Sequence, residues 1–182
     1  MAEAERITPV ERFFRWVEKI VRTVVGFFLR LIRVELTEKQ WAAFLQFVRY
    51  CVVGLANTVV NLLFNYLTLW LLEKTGWNGA IGGVEGFNRH LGTAAGFVAC
   101  CVNSYFFNSR YTFDVDEKQS FSQHFKALLK VMVSYSFAVL FLGWALNILW
   151  VSVGLNSFLG ALINVIVGIP INFVLNKFWA FK

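Results

Sequence analysis

The stretch VMVSYSFAVLFLGWALNILWVSVGLNSFLGALINVIVGIPINFVLN, residues 131–176, contains no charged side chain. A helix of about 20 apolar residues is long enough to cross the roughly 30 Å of bilayer hydrocarbon. This stretch is too long for one crossing, and the segment SVGLNS at 152–157 supplies a turn. The sequence therefore predicts two membrane spans, at about 131–151 and 158–176.

Two further charge-free runs precede this stretch, at about 50–72 and 91–108. The whole chain is 58% hydrophobic and 15% charged, whereas soluble domains are about 45–50% apolar and about 25% charged. We therefore expect an all-α integral membrane protein with four transmembrane helices. The glycine-rich segment 73–90 predicts an irregular loop, and residues 110–130 predict a charged loop.

A basic amphipathic segment precedes the first span. Over residues 10–34, apolar side chains recur at helical spacing opposite a face made mostly of arginine. Such a helix lies in the membrane interface rather than across it; packing on a partner protein is the alternative. Thr37 to Gln40 have the spacing of a capping box, so a new helix is expected to begin at Thr37. The predicted domains are an amphipathic helix at 1–36 and a transmembrane domain at 37–182.

The basic residues predict the orientation of the four spans. One side of the membrane receives Arg49, Arg110, Lys118, Lys126, Lys130, Lys177 and Lys182. The positive-inside rule places this side, with both termini, in the cytoplasm, as in a multi-pass protein of the cytoplasmic (inner or plasma) membrane. The net charge is +6. Because the cations lie at the edges of apolar runs, we expect them to bind membrane lipids and not nucleic acid.

The second and fourth spans end in similar sequences, Asn103–Phe113 and Ile171–Phe181. When these are aligned on their final phenylalanines, Asn108 meets Asn176, and each asparagine is followed by a cation and an aromatic residue. This match predicts two repeated helical hairpins of the same orientation, as in many transport folds. The alternative is that aromatic residues and cations simply favour the ends of membrane helices.

Three segments together resemble the signature stretches of the GtrA-like family. They are FVRYCVVGLANT at 47–58, NSYFFNSRYTF at 103–113 and NFVLNKFWAF at 172–181. The resemblance covers about residues 44–182, so the first 36 residues lie outside it.

The resemblance implies a small four-helix membrane protein of cell-surface polysaccharide or glycolipid synthesis. It also implies movement of a polyprenyl-phosphate-linked sugar across the cytoplasmic membrane, beside a polyprenyl-phosphate glycosyltransferase as partner. This chain departs from a regular repeat at one point. Asn103 lies five positions before Asn108, whereas Asn172 lies four before Asn176, so Asn103 and Asn172 need not be equivalent.

The polar groups within the predicted spans are amides and hydroxyls, and none of the spans contains an ionisable acid, base or histidine. This argues against an ion-coupled carrier, which usually needs an intramembrane charge. Neutral amides suit the hydroxyls of a sugar, but they also form bonds between membrane helices that contribute about 1 kcal/mol each. Both interpretations stay open for the groove candidates, which are Asn57, Asn61, Asn103, Asn108, Asn164, Asn172 and Asn176.

The cations at the ends of the spans are the candidates for binding a lipid phosphate. Arg49, Arg110 and Lys177 each lie beside an asparagine or an aromatic residue, and the arginine fork fits a phosphate with two hydrogen bonds. Generic headgroup anchoring is the alternative.

Gly92 and Gly96 give the second span a face of small residues, which favours a contact between two copies in a homo-oligomer.

The sequence predicts no enzyme. Asp114, Asp116 and Glu117 resemble the acidic runs of metal-dependent sugar transferases, but no nucleotide-binding fold surrounds them, so we interpret them as a solvated turn. No catalytic residue, metal or cofactor is expected.

The hypothesis for the function is a flippase, or a flippase subunit, and the alternative is an adaptor that recruits or stabilises a glycosyltransferase without moving lipid.

Overall fold

A computed structural model describes residues 7–77, 86–113, 115, 119–138 and 143–182 of the chain. Within these ranges the helices are α1 (Pro9–Leu31), α2 (Glu38–Lys74), α3 (Phe87–Phe107), α4 (Phe121–Ser136), α5 (Gly143–Ser152) and α6 (Ser157–Leu175). A first π-turn, Asn108–Thr112, follows α3, and a second π-turn, Asn176–Ala180, follows α6. Two compact units divide the chain, an N-terminal unit (1–52) and a C-terminal unit (53–182), and α2 belongs to both.

Capping boxes start both helices of the N-terminal unit. The Thr8 hydroxyl accepts the Glu11 backbone N–H at 3.2 Å, and the Glu11 carboxylate accepts the Thr8 N–H at 2.7 Å. The expected helix near 10–34 is thereby confirmed as α1. The capping box predicted at Thr37 is also confirmed, because the Gln40 side chain accepts the Thr37 backbone N–H at 2.8 Å.

Both loops predicted between the first three spans were placed too broadly. The first, 73–90, is wrong at its ends, because α2 continues to Lys74 and α3 begins at Phe87. Gly86 precedes α3 with φ 76°, a backbone conformation that glycine adopts without strain. Residues 78–85 of that predicted loop lie outside the described chain.

The second predicted loop, 110–130, is wrong at both ends. The first π-turn occupies its beginning, and α4 starts at Phe121, ahead of the span expected from residue 131. The cause is another capping box: the Ser120 hydroxyl accepts the Gln123 N–H, and the Gln123 side chain accepts the Ser120 N–H. The charged residues of this segment therefore lie partly on a helix.

The turn predicted at 152–157 is confirmed between α5 and α6. Gly154 has φ 74°, and the side chain of Asn156 caps α6 by accepting the Phe158 N–H at 2.8 Å. Helix α6 then continues through Pro170 to Leu175. The third predicted span comprises the second half of α4 and α5, and residues 139–142 between them lie outside the described chain.

Two segments of the described chain, Glu38–Lys74 and Phe158–Ala180, are long and apolar enough to cross a membrane, with mean hydropathies of 1.6 and 2.2. They contain the first and fourth of the predicted spans. The second and third spans, and the arrangement of all four as repeated hairpins, stay predictions.

Helices α2 and α3 approach closely along the small-residue face of α3. A Cβ atom added at Gly96 would lie 2.6 Å from the backbone carbonyl oxygen of Asn61, and one added at Gly92 would lie 3.0 Å from Oδ1 of Asn65. This face was expected to join two copies of the chain. It is covered by α2 of the same chain, so a homo-oligomer would have to use another surface.

We expect Gly96→Ala to lower the free energy of unfolding by about 1–3 kcal/mol, because the added methyl group meets backbone and cannot be accommodated by a rotamer change. The matched control is Gly54→Ala on α2, where a Cβ meets nothing within 4 Å. There the higher helix propensity of alanine should add up to about 1 kcal/mol. Thermal unfolding of both variants in the same detergent checks this, and equal midpoints would contradict the close α2–α3 approach.

Candidate functional site

A chain of hydrogen bonds links three helices inside the C-terminal unit. The Asn103 amide donates to Oδ1 of Asn57 at 2.7 Å, and the Asn57 amide donates to the Tyr135 hydroxyl at 3.3 Å. That hydroxyl also shares a hydrogen bond of 2.8 Å with Ser104, whose oxygen accepts the Asn108 amide at 2.9 Å. We call these five residues the amide–hydroxyl relay. It connects α2, α3 and α4.

Burial explains why these side chains bond to one another. Asn57 is 6% exposed, and Ser104 and Asn108 are 1% exposed. A polar group removed from water costs free energy unless it is hydrogen-bonded, so the five groups form a connected set. The relay is the polar centre of an otherwise apolar packing of helices.

One oxygen atom of the relay, and one on the residue that precedes Tyr135 in the chain, are not used in this network. Oδ1 of Asn108 and Oγ of Ser134 are buried and have no hydrogen-bond partner within the described part of the chain. An unsatisfied buried group costs about 1–3 kcal/mol. Asn108 therefore donates to the relay with its nitrogen while its oxygen remains available to a donor such as a hydroxyl group or a water molecule.

The two π-turns are built in the same way. The Phe113 N–H donates to the Asn108 carbonyl at 2.8 Å, and the Phe181 N–H donates to the Asn176 carbonyl at 3.0 Å. Each asparagine side chain also donates one turn back along its helix. Asn108 reaches the Ser104 hydroxyl at 2.9 Å and Asn176 reaches the backbone oxygen of Asn172 at 2.8 Å, so the two asparagines bond to corresponding positions.

This geometry resolves the irregular spacing in the sequence. The counterpart of Asn172 is Ser104, four positions before its asparagine, and not Asn103. Asn103 instead takes a separate role, because its amide bonds to Asn57 on α2.

The aromatic rings that directly follow the two π-turns stack on each other, and we call this contact the aromatic clasp. The rings of Phe113 and Phe181 lie 4.8 Å apart with an interplanar angle of 28°. Tyr105 stacks on Phe181 at 5.9 Å, and Phe173 contacts Phe113 at 5.8 Å. Tyr105 and Phe173 each lie three positions before their asparagine. We call the end of α3 with the first π-turn the first exit, and the end of α6 with the second π-turn the second exit. Each exit therefore contacts the other through equivalent positions.

The clasp brings two of the predicted phosphate ligands to one end of the C-terminal unit. Arg110 and Lys177 belong to the two π-turns that the clasp joins, and Arg110 is exposed. The Lys177 ammonium lies 5.5 Å from the centre of the Phe173 ring. Lys130 on α4 donates to the backbone oxygen of Trp179 at 3.1 Å. It thereby adds a third cation that sequence reasoning did not select.

The remaining predicted phosphate ligand, Arg49, lies in the N-terminal unit. Its Nε atom is 2.5 Å from the carboxylate of Glu18, and both side chains are partly buried. The Arg49 guanidinium is therefore already paired with a carboxylate, and a phosphate would have to compete with Glu18 for this guanidinium.

Comparison with protein families gives a match to the family described as GtrA/DPMS, transmembrane domain, over residues 49–181. The chain belongs to this family. The matched range contains the relay, both π-turns and the clasp, and it confirms the resemblance found in the sequence. It makes the chain a membrane protein and indicates a role in glycolipid or polysaccharide synthesis. Comparison with curated proteins and with solved structures gives no match.

Within the GtrA/DPMS domain, the predicted groove residues fall into different settings. Asn57, Asn103 and Asn108 belong to the relay, and Asn172 and Asn176 form the second exit. Two further amides serve helix packing: the backbone of Asn61 abuts Gly96, and Oδ1 of Asn164 accepts the indole N–H of Trp150 at 2.8 Å.

Sequence reasoning missed three polar residues of the GtrA/DPMS domain, namely Ser104, Tyr135 and His124. His124 Nδ1 hydrogen-bonds to the hydroxyl of Tyr105. A signal for Tyr135 exists in the polar triplet SYS at 134–136 within an apolar run. The acidic residues Asp114, Asp116 and Glu117 lie outside the described chain.

We expect Tyr135→Phe to lower the free energy of unfolding by about 1–3 kcal/mol, because it removes the hydroxyl on which Asn57 and Ser104 both depend. Tyr66→Phe is the matched control, since Tyr66 lies on α2 and is 66% exposed. Chemical unfolding in detergent measures both variants. Equal effects of the two changes would show that the relay carries no stability.

We expect Phe113→Leu and Phe181→Leu to be coupled, with an interaction free energy of about 0.5–1.5 kcal/mol in a double-mutant cycle. The reason is that each change removes one ring of the same stack. A second cycle, with Phe106→Leu in place of Phe113→Leu, serves as control because Phe106 is exposed. The aromatic clasp is contradicted if both cycles are additive.

Proposed function

We propose that this protein is a non-enzymatic flippase, or a flippase subunit, that moves a polyprenyl-phosphate-linked sugar across the cytoplasmic membrane for polysaccharide or glycolipid synthesis. One observation carries the proposal. The C-terminal unit combines a relay of neutral donors and acceptors with two π-turns that each carry a cation. Asn108 belongs to the relay and to the first of these π-turns. A lipid-linked sugar has the complementary parts, namely hydroxyl groups next to a phosphate.

The relay supplies the part of the site that would receive the sugar. Sugar hydroxyls bond to neutral amides and hydroxyls without the cost of burying a charge. The free acceptor on Asn108 is suited to a hydroxyl donor, and Tyr135 can exchange donor and acceptor roles because its hydrogen rotates. Small changes in this network would therefore let a head group replace internal bonds.

The π-turns supply the part that would receive the phosphate. Arg110 presents a planar fork that can bond two phosphate oxygens, whereas Lys177 presents a point charge. Lys130 restrains the second π-turn through its bond to the Trp179 oxygen. The clasp holds the two turns side by side, so both cations would serve a phosphate that enters from this end.

The proposed topology follows from the same cations. We infer four spans, formed by α2, α3, α4 together with α5, and α6, with the end that carries Arg110 and Lys177 in the cytoplasm. This orientation agrees with the positive-inside rule. The partner would be a polyprenyl-phosphate glycosyltransferase that loads the carrier on the cytoplasmic side.

The test is transbilayer movement of a polyprenyl-phosphate sugar in vesicles that contain the purified full chain. We expect faster movement than in empty vesicles, and we expect Arg110→Ala and Lys177→Ala each to reduce it by roughly tenfold, because each removes a charge-assisted contact of about 1.5–3 kcal/mol. Arg110→Lys should retain part of the rate. Lys126→Ala, an exposed cation on α4, is the matched control and should leave the rate unchanged.

Two outcomes would contradict this proposal. One is no acceleration by the wild type, even when the glycosyltransferase is reconstituted beside it. The other is the same rate for Arg110→Ala, Lys177→Ala and Lys126→Ala, which would show that the cations act only as general anchors.

An adaptor that recruits or stabilises a glycosyltransferase without moving lipid is the second candidate. The observation that favours it is the helical hairpin of the N-terminal unit, nearly all of which precedes the family match at residue 49. Alanine at Asn57, Asn61 and Asn172 would leave glycosylation intact if the protein were an adaptor, while deletion of α1 would abolish it. If the protein is a flippase, alanine at Asn57 or at Asn172 should instead impair glycosylation.

A further inference from the structure

Helix α1 of the N-terminal unit has a face that packs within this unit. Phe14 is 5% exposed, and Glu18 forms the ion pair with Arg49. The Arg22 guanidinium lies 3.1 Å from the Glu38 carboxylate and 5.3 Å from the centre of the Trp41 ring. These contacts hold α1 against the first turns of α2 and so fix the direction of its other two faces.

The second face of α1 is apolar and exposed. Its large side chains have between 42% and 71% of their surface accessible. They are Phe13, Trp16, Ile20, Val24, Phe27, Phe28 and Leu31. An apolar stripe along a whole helix needs a cover that removes it from water, because exposed apolar surface is unfavourable. In a membrane protein the interfacial region of the bilayer is such a cover.

The third face is basic, with a row formed by Arg15, Lys19, Arg22 and Arg30. These residues follow at helical spacing and line an open surface groove of about 690 Å³. Gly26 interrupts the row and also lines the groove, and nothing lies within 4 Å of the position of its missing Cβ, so the surface between Arg22 and Arg30 is open.

The acidic groups of α1 do not neutralise this row. Glu11 is engaged in the capping box with Thr8, and Glu18 is engaged with Arg49. Within the described chain, Arg15, Lys19 and Arg30 form no ion pair. Their charges are therefore available to an anion outside the protein.

We propose that α1 is a binding site for anionic phospholipids of the bilayer, with its apolar face among the acyl chains and with phosphate groups in the groove between Arg15 and Arg30. Arginine forks bond phosphate oxygens in pairs, and Lys19 adds a point charge. The bilayer is favoured over an acidic protein because the uncovered apolar stripe runs beside the cations along the whole helix. The site lies before the family match and does not depend on the flippase proposal.

The experiment measures which lipids surround Trp16, which is 60% exposed on α1. The full chain is reconstituted in bilayers that contain phosphatidylglycerol or phosphatidylcholine with brominated acyl chains, which quench tryptophan emission on contact. The signal of Trp16 is the difference between each protein and the same protein carrying Trp16→Phe. We expect brominated phosphatidylglycerol to quench Trp16 several-fold more effectively than brominated phosphatidylcholine at equal mole fraction.

The triple variant Arg15→Gln, Lys19→Gln, Arg30→Gln should lose this preference, since each cation near an anionic surface favours binding by roughly fivefold. The matched control is Lys39→Gln, Lys126→Gln, Lys182→Gln, which removes the same charge elsewhere and should keep it. A variant with Arg15→Lys and Arg30→Lys keeps the charge and should also keep most of the preference, which guards against loss of folding.

Three results would overturn the proposal. If neither lipid quenches Trp16, α1 does not lie in the bilayer. If the triple variant keeps the preference, the groove does not bind the headgroup. If the control triple loses the preference to the same extent, only the net charge of the protein matters.

Discussion

A helix that ends inside protein has to satisfy its last backbone groups without water, and Asn108 and Asn176 meet this constraint in the same way. Each begins a π-turn that a phenylalanine N–H closes five positions later, and each donates its side-chain amide one turn back. A π-turn adds a residue to the helical turn and so rotates the side chains that follow it. The rotation places Phe113 and Phe181 face to face, and the cations of both turns come to the same end as a result.

The two exits share a backbone but differ in chemistry. The position four residues after the asparagine is a buried threonine, Thr112, at the first exit and a buried alanine, Ala180, at the second. The position four residues before it is Ser104 at the first exit, which joins the relay, and Asn172 at the second, whose side chain accepts a hydrogen bond from Asn176 of the same helix end. The first exit therefore carries the side-chain hydrogen bonds of the relay to α2 and α4, whereas the second receives Lys130 of α4 at the backbone oxygen of Trp179.

Much of this could be predicted from the sequence, because apolar length, charge placement and local capping leave direct traces in it. The charge-free runs located α2 and α6, and the motif at Thr37 located the start of α2. The aligned asparagines identified both exits, although only the structure shows that they form π-turns. The α4 start was missed because the charges near residue 118 outweighed the capping signal of Ser120 and Gln123.

The relay could not be predicted, since it depends on how helices distant in sequence meet. Asn57 and Tyr135 are far apart along the chain, and no local pattern pairs them. Side-chain direction decides such pairs, and it depends on how each helix is rotated against its neighbours, as at the Gly96 contact between α2 and α3. For the same reason the sequence could not show that Arg49 is matched by Glu18, which lies beyond the segment that carries the family resemblance.

The asparagine side chains could either bind a sugar or join helices, and the free energy lost by unsatisfied buried groups helps to separate these two roles. Asn61 and Asn164 lie in helix contacts that packing alone explains, because a glycine or an indole N–H meets each of them. Asn108 differs, since it leaves a buried acceptor without a partner in the described chain, at a cost of about 1–3 kcal/mol. A residue selected only to join helices would be satisfied or replaced by an apolar one, and local violations of this kind concentrate at functional sites. The unused oxygen of Asn108 therefore supports the sugar-binding role that we propose for the first exit.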